Sequence, residues 1–134
     1  GLVILDAYRP WYVTKVFWDL TPEANRAFVA DPTVGSGHNR GASVDVTLYE
    51  TRSGREVPMP SGYDEFSERS TPGYQGGSAI SRQHRELLRA AMENQGFKVH
   101  PMEWWHYDHA TSAHYAVCNQ TFAELHLRCH SSST

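Results

Sequence analysis

Residues 36–45 combine a histidine and a carboxylate in a pattern that can hold a metal ion. His38 ends a glycine-rich loop, and Asp45 lies on the polar side of the apolar stretch that comes next. Gly37 and Gly41 allow the backbone to turn sharply, so His38 can fold back towards Asp45. A carboxylate that faces inward from such a stretch needs a partner, and a cation would satisfy it.

A second segment places Glu103 and His106 three residues apart, within an aromatic run that should exclude water. Two histidines and one carboxylate form a common catalytic zinc set, which leaves the fourth position open for water. Zinc lowers the pKa of that water to about 7, and a nearby unligated carboxylate can then take its proton. We therefore predict that Asp45 binds one Zn²⁺ together with the histidines, and that Glu103 is the catalytic base.

Arg9 is a third candidate, because a buried strand is predicted to meet a helix at this point. The apolar stretch 2–8 is typical of a short strand, and Pro10 suits the first turn of a helix. A guanidinium held there could stabilise the oxyanion of a tetrahedral intermediate. The alternative is a structural ion pair with Asp6.

The elements that must position these residues indicate an α+β fold. Strands are predicted at 2–8, 43–49, 97–99, 103–107 and 115–117, with a short returning strand at 54–60. Helices are predicted at 10–20, 22–30 and 81–95, the last capped by Ser81 and ended by Gly96. We expect an antiparallel sheet with helices packed on one side. The loop at 60–78 is long enough to suggest a functional cover.

Length and composition fit one domain with a modest core. The chain has 134 residues and a formal net charge of −3, which argues against nucleic acid as the main partner. No apolar run approaches the ~18 residues of a membrane span. We assign residues 1–129 to a single domain and expect residues 130–134 to be a frayed tail. Cys118 and Cys129 could form a disulfide, but two thiols alone do not identify the redox compartment.

The matched motifs resemble those of the zinc D,D-peptidases of the hedgehog/D-Ala-D-Ala-peptidase fold, most closely the VanX-type D-alanyl-D-alanine dipeptidases. Their pattern is Tyr-Arg-Pro, then S-x-H-x-x-G-x-A-x-D, then Phe/Tyr-Asp-x-Phe, then E-W-W-H. Over about residues 2–125 this chain carries, in the same order, Tyr8-Arg9-Pro10, Ser36 to Asp45, Tyr63-Asp64-Glu65-Phe66 and Glu103 to His106. Ser43 stands where that family usually has Ala, and Thr14 where these dipeptidases often have Gln.

The resemblance implies a role for eight positions of this chain. The implied zinc ligands are His38, Asp45 and His106. The implied catalytic residues are Glu103 as general base and Arg9 as transition-state stabiliser. The implied pocket residues are Ser36, Asp64 and Trp104. Asp64 could meet the free amino group of a dipeptide. The family also has some tens of residues before the Tyr-Arg-Pro strand, so we expect the domain to lack its N-terminal part here.

We therefore expect zinc-dependent hydrolysis of D-alanyl-D-alanine or a similar short D-amino-acid dipeptide. A D,D-carboxypeptidase or cell-wall endopeptidase on the same fold is the nearest alternative, and it would need an open groove. Residues 60–78, if folded over the site, favour the smaller substrate. From another class, the chain could be a non-catalytic zinc-binding module, although a purely structural site needs neither Glu103 nor Arg9. A truncated remnant that no longer folds is a further alternative.

Overall fold

The computed structural model describes the backbone of residues 1–131 and the side chains of residues 1–126. Four strands form one antiparallel sheet: β1 (Leu2–Asp6), β2 (Ser43–Leu48), β3 (Phe97–His100) and β4 (Glu103–His109). Their order across the sheet is β1-β2-β4-β3. With the helices, this arrangement confirms the predicted α+β class and the antiparallel sheet.

The described helices are α1 (Trp11–Leu20), α2 (Ala79–Glu93) and α3 (Phe122–Ser131). Short 3₁₀ turns cover Glu23–Phe28, His38–Arg40, Glu68–Ser70 and Ser112–His114. Ser78, not Ser81, caps α2, because the Oγ of Ser78 accepts the backbone N–H of Ser81 at 3.1 Å. Among the described residues, no helix is both long enough and apolar enough to cross a bilayer.

Three predicted elements differ from the structure. The predicted helix at 22–30 is the 3₁₀ turn Glu23–Phe28, since so short a segment gains little from α-helical propagation. The predicted strand at 54–60 is reduced to one bridge between Tyr49 and Glu56.

The predicted strand at 115–117 is wrong, and α3 was missed. The backbone N–H of Cys118 bonds to Asn39, and its carbonyl accepts from Trp11, so this segment packs on loops rather than on the sheet. Of the expected tail 130–134, His130 and Ser131 belong to α3, and residues 132–134 lie outside the described residues.

The two faces of the sheet have separate tasks. Cross-strand pairing sets Val44 opposite Tyr107 and Asp45 opposite His106, and neighbouring residues of a strand point to opposite faces. One face carries the buried core, in which α2 packs on the sheet; its members are Val46, Leu88, Met92, Trp104, Trp105 and Tyr107. The other face carries Asp45 and His106. On that face α1 borders a cavity and does not cover the sheet. The prediction of helices packed on one side did not include this cavity.

Two irregularities in the sheet turn additional side chains towards the second face. In β1 the pairing shifts between Ile4, opposite Val46, and Asp6, opposite Asp45. In the β3–β4 pair, Val99 lies opposite Tyr107, whereas His100 lies opposite Glu103. Each bulge adds residues on one strand and reverses the expected facing of the residues beyond it. Asp6 and Glu103 therefore share a face with the two histidines, which a regular alternation would prevent.

Truncation of the core should destabilise the protein strongly. Leu88 is fully buried between α2 and the sheet, whereas its neighbour Leu87 is 61% exposed. We expect Leu88→Ala to lower the free energy of unfolding by about 2–5 kcal/mol, because it removes buried apolar surface and leaves a cavity. Urea denaturation followed by circular dichroism would measure the change. Leu87→Ala is the matched control and should cost less than about 1 kcal/mol; equal losses would contradict the described packing of α2.

Candidate metal centre

Three side chains from separate parts of the chain meet on the second face of the sheet. Nε2 of His38 lies 3.2 Å from Oδ1 of Asp45 and 3.1 Å from Nδ1 of His106. The Nδ1 of His106 lies 3.0 Å from the same Asp45 oxygen. All three residues are buried, and their donor atoms form the one group of this kind found among the described residues that could hold a metal ion. The structure thus brings together the three residues predicted as ligands.

The loop before β2 holds His38 by backbone geometry. His38 begins a 3₁₀ turn that ends at Gly41, whose φ of 63° is a left-handed conformation that glycine adopts without strain. Asn39 is fully buried and bridges the loop to α1, since its Nδ2 donates to the Arg9 carbonyl and to Oγ1 of Thr14. Its Oδ1 accepts the N–H of Ser36. These hydrogen bonds leave the loop little freedom.

Each of the three metal-facing side chains has a polar partner on its far side. Nδ1 of His38 donates to the Ala7 carbonyl at 2.7 Å, so Nε2 faces inward. The Tyr63 hydroxyl donates to Oδ2 of Asp45 at 2.9 Å, which leaves Oδ1 facing the histidines. Nε2 of His106 lies 3.2 Å from Oδ1 of Asp108. Such outer partners set the orientation and tautomer of metal ligands.

A single positive charge is required at the centre of this arrangement. Burial lowers the pKa of His106, but hydrogen bonds with Asp108 and Asp45 outweigh it and raise that pKa to about 10. Burial raises the pKa of Asp45, yet the hydrogen bond from His106 and the adjacent imidazole of His38 hold it well below its ordinary value. Without a metal ion, the inward proton of His106 therefore lies between the electron-rich atoms. A cation that replaced it would meet three donors already in position.

Glu103 has a different environment from Asp45. Its Oε2 lies 3.7 Å from Nδ1 of His106 and 4.0 Å from Nδ1 of His100, beyond the spacing of the three inner atoms. Burial raises the pKa of Glu103 to about 7, against a lowering by the charge of His106. One carboxylate in the site thus stays ionised while the other titrates near neutrality. This separation of pKa values is the usual mark of distinct acid–base assignments.

The metal centre opens into a cavity of about 890 Å³. Arg9 lines it with a side chain that is 17% exposed, and Arg9 Nε lies 3.6 Å from Oδ2 of Asp6. That buried Nε has no hydrogen-bond partner, and the guanidinium lies 5.0 Å from the centre of the Phe17 ring. The structural ion pair considered for Arg9 therefore exists, and the same residue lines the cavity.

Loop 60–78 contributes Asp64 to the same cavity. Asp64 has a φ of 56°, a left-handed conformation that is uncommon outside glycine, although aspartate tolerates it better than most residues. Burial, followed by the charge of Asp45, raises the pKa of Asp64. Tyr63 and Phe66 line the cavity as well, so this loop borders the metal centre as expected.

The other two predicted pocket residues have different positions. Ser36 lines the cavity, and its Oγ accepts the backbone N–H of His38 at 3.2 Å. Trp104 is buried in the core, and its indole N–H donates to Oγ of Ser61 at 2.8 Å, at the start of the long loop. Trp104 does not line the cavity in the described structure. Its position connects it to the pocket only through the loop it supports.

Three polar residues of the site were assigned no role from the sequence: Asn39, Tyr63 and Asp108. Tyr63 was quoted only as part of a motif, and Asp108 lies two residues after His106, which is the same-face spacing of a strand. That spacing was the one available signal. For the two cysteines, Cys118 is exposed, and the side chain of Cys129 lies outside the described residues.

The chain is similar to known dipeptidases over most of its length. A family model described as D-Ala-D-Ala dipeptidase matches residues 1–128. The chain is 36% identical over 122 residues to the D-alanyl-D-alanine dipeptidase of Escherichia coli (strain K12), a match that covers 91% of this chain and 62% of that protein. It is also 36% identical over 126 residues to the D-alanyl-D-alanine dipeptidase of Enterococcus faecium, covering 80% of this chain and 61% of that protein. The chain thus spans about three fifths of the length of these curated relatives.

Metal binding to this site should release a proton. His106, with a pKa of about 10 in the metal-free protein, is protonated at neutral pH and must lose its inward proton to bind a metal ion. We expect about one proton released per ion near pH 7.5, and an apparent affinity that rises about tenfold per pH unit up to about pH 10. Calorimetry with Zn²⁺ in two buffers of different ionisation enthalpy would count the protons. His114→Ala, outside the cavity, should leave the count unchanged; metal binding without proton release would contradict the assignment.

Proposed function

Since this chain belongs to the M15 family of D-Ala-D-Ala dipeptidases, we propose that it hydrolyses D-alanyl-D-alanine or a similar short D-amino-acid dipeptide in a zinc-dependent reaction. The observation that carries the proposal is the convergence of His38, Asp45 and His106 beside Glu103, a half-buried carboxylate that stands apart from them. A site that only bound metal for structure would have no need of Glu103.

The chemistry of the three donors supports zinc as the metal. Two imidazole nitrogens and one carboxylate oxygen are a common set in catalytic zinc sites. Their separations of 3.0–3.2 Å approach the spacing of about 3.4 Å expected for ligands bonded at about 2.05 Å in a tetrahedral zinc site. When bound, zinc lowers the pKa of water to about 7 and polarises a carbonyl oxygen. We propose that the chain binds one Zn²⁺ through His38, Asp45 and His106.

Glu103 is the proposed general base. Its pKa of about 7 in the metal-free protein suits a group that must both accept and return a proton near neutral pH. In the proposed reaction the Glu103 carboxylate takes a proton from water while the water oxygen attacks the carbonyl carbon of the peptide bond. The C–N bond then breaks, and Glu103 returns the proton to the departing amine. The two products are the free amino acids.

Arg9 and Asp64 are proposed to hold the two charged parts of the reacting dipeptide. Arg9 lines the cavity, and its guanidinium carries several N–H donors besides Nε, so it can stabilise the negative charge that develops on the carbonyl oxygen. Asp64 borders the same cavity and would pair with the free amino group of the substrate. Ser36 would line the pocket between them. We propose that Trp104 acts on the pocket by supporting Ser61 at the start of the loop.

Replacing the proposed base should separate metal binding from turnover. We expect Glu103→Gln to keep one zinc ion per chain and to lower kcat by at least about 100-fold, because general-base catalysis contributes about 10²–10⁴-fold. Zinc content by mass spectrometry and D-alanyl-D-alanine hydrolysis would be measured on the same preparation. Glu50→Gln, in the exposed turn after β2, is the matched control and should retain full activity. Equal turnover in Glu103→Gln and the parent chain would remove Glu103 from the mechanism.

Removal of a proposed ligand should lower the zinc content, which replacement of Glu103 should leave unchanged. His38→Ala should lose zinc under conditions in which the parent chain retains it, since His38 supplies one of only three protein donors. The measurement is the zinc content after dialysis against a weak chelator, with His114→Ala, an exposed histidine in the 3₁₀ turn Ser112–His114, as the control. Unchanged zinc content in His38→Ala would refute the ligand assignment.

An assay with a longer peptide ending in D-Ala-D-Ala would separate dipeptidase from carboxypeptidase activity.

A further inference from the structure

Ser43 and Asp108 form a polar pair behind His106 that the proposed reaction does not use. They lie directly opposite each other on β2 and β4, and the Ser43 hydroxyl donates to Oδ1 of Asp108. The same Oδ1 atom lies 3.2 Å from Nε2 of His106. Ser43 is buried, whereas the Asp108 side chain is 37% exposed at the rim of the cavity. One carboxylate oxygen therefore receives both a hydroxyl and an imidazole.

Gly37 provides the space for this pair. A Cβ atom added to Gly37 would overlap both Oγ of Ser43 and Oδ1 of Asp108. Any larger residue at position 37 would displace the carboxylate from His106. The backbone of the loop that presents His38 thus packs directly against the pair that contacts His106.

Ser43 and Asp108 act on the imidazole of His106 and not on a substrate. A carboxylate that accepts one ring N–H of a histidine leaves the other ring nitrogen to bind a metal, and it makes that nitrogen a better donor. A carboxylate with an exposed side chain would otherwise turn towards water, and the buried Ser43 hydroxyl holds it in place. Ser43 is also the position at which this chain departs from the usual Ala of the family pattern, and an Ala there could not make this contact.

We propose that Asp108 is a positioning residue that directs Nδ1 of His106 towards the metal ion, and that Ser43 holds Asp108 in the orientation this requires. The proposal rests on the proposed function only in taking His106 as a metal ligand. It assigns Asp108 no contact with substrate. Because Ser43 acts through Asp108, the two residues should behave as one unit rather than as independent contributors.

The test measures zinc affinity separately from catalysis and from folding. Zn²⁺ dissociation constants would be determined for the full chain by competition with a chromophoric chelator, and the Co²⁺-substituted protein would be examined by visible absorption. The variants are Asp108→Ala, Asp108→Asn, Ser43→Ala and the Ser43→Ala/Asp108→Ala double variant. Asp19→Asn, an exposed carboxylate that pairs with Lys15 on α1, is the matched control.

We expect Asp108→Ala to weaken zinc binding about 10–100-fold and to shift the Co²⁺ bands, because loss of an outer partner typically has this effect on affinity. Asp108→Asn should recover part of the affinity, since its amide oxygen can still accept the Nε2–H. Ser43→Ala should weaken binding less and should have no further effect when Asp108 is already Ala. Asp19→Asn should bind zinc like the parent chain.

Several results would overturn the positioning role. Unchanged zinc affinity in Asp108→Ala would do so, and loss of turnover at unchanged affinity would assign Asp108 to the substrate instead. The free energy of unfolding of the Asp108→Ala variant would also be measured without zinc, by urea unfolding. If it fell by as much as the free energy of zinc binding, the role of Asp108 would be a structural one. If the parent chain bound zinc tightly but hydrolysed no dipeptide, the proposed function would fail while the positioning role stood. If the parent chain bound no zinc, both would fail.

Discussion

Three electron-rich atoms that converge on one buried point are the constraint on which the rest of this structure depends. Nε2 of His38, Nδ1 of His106 and Oδ1 of Asp45 lie 3.0–3.2 Å apart, and each side chain is hydrogen bonded on its far side. Lone pairs at this distance repel one another unless a positive charge lies between them. A proton or a metal ion meets that need. The fold therefore brings together a candidate cation site, whose three donor atoms would need little reorganisation to bind an ion.

Two shifts in the strand pairing of the sheet bring further side chains to this point. Asp45 and His106 reach the same face by ordinary cross-strand pairing, which the alternation of β2 made predictable. Glu103 and Asp6 reach it only because bulges shift the pairing in β4 and β1. A spacing of three residues along a regular strand would set Glu103 and His106 on opposite faces. The sequence motif indicated that the two residues act together, whereas the physical means could not be derived from periodicity.

Features of the fold that depend on neighbouring residues could be predicted from the sequence, whereas features that depend on distant contacts could not. Local signals located the four strands, the helices α1 and α2 and the glycine-rich loop of His38, apart from cap and end positions. The segment 115–117 was misjudged because its exposed apolar residues look like a strand, yet the next residue, Cys118, bonds through its backbone to Asn39 and Trp11 far away in the chain. Tyr63 and Asp108 were missed for a related reason. Each of them contacts a proposed metal-binding side chain, and only the folded chain brings these residues together.

Asp45 and Glu103, the two carboxylates that face Nδ1 of His106, are distinguished by their surroundings and not by their chemistry. Hydrogen bonds keep Asp45 ionised, and burial with few partners leaves Glu103 ready to exchange a proton near neutral pH. That division has meaning only if one ion occupies the point where the three donors meet. Anomalous diffraction at the zinc edge from crystals grown with Zn²⁺ tests this most directly. The account predicts one strong peak bonded to His38 Nε2, Asp45 Oδ1 and His106 Nδ1, with Glu103 unbonded; a peak elsewhere, or one ligated by Glu103 in place of Asp45, would contradict it.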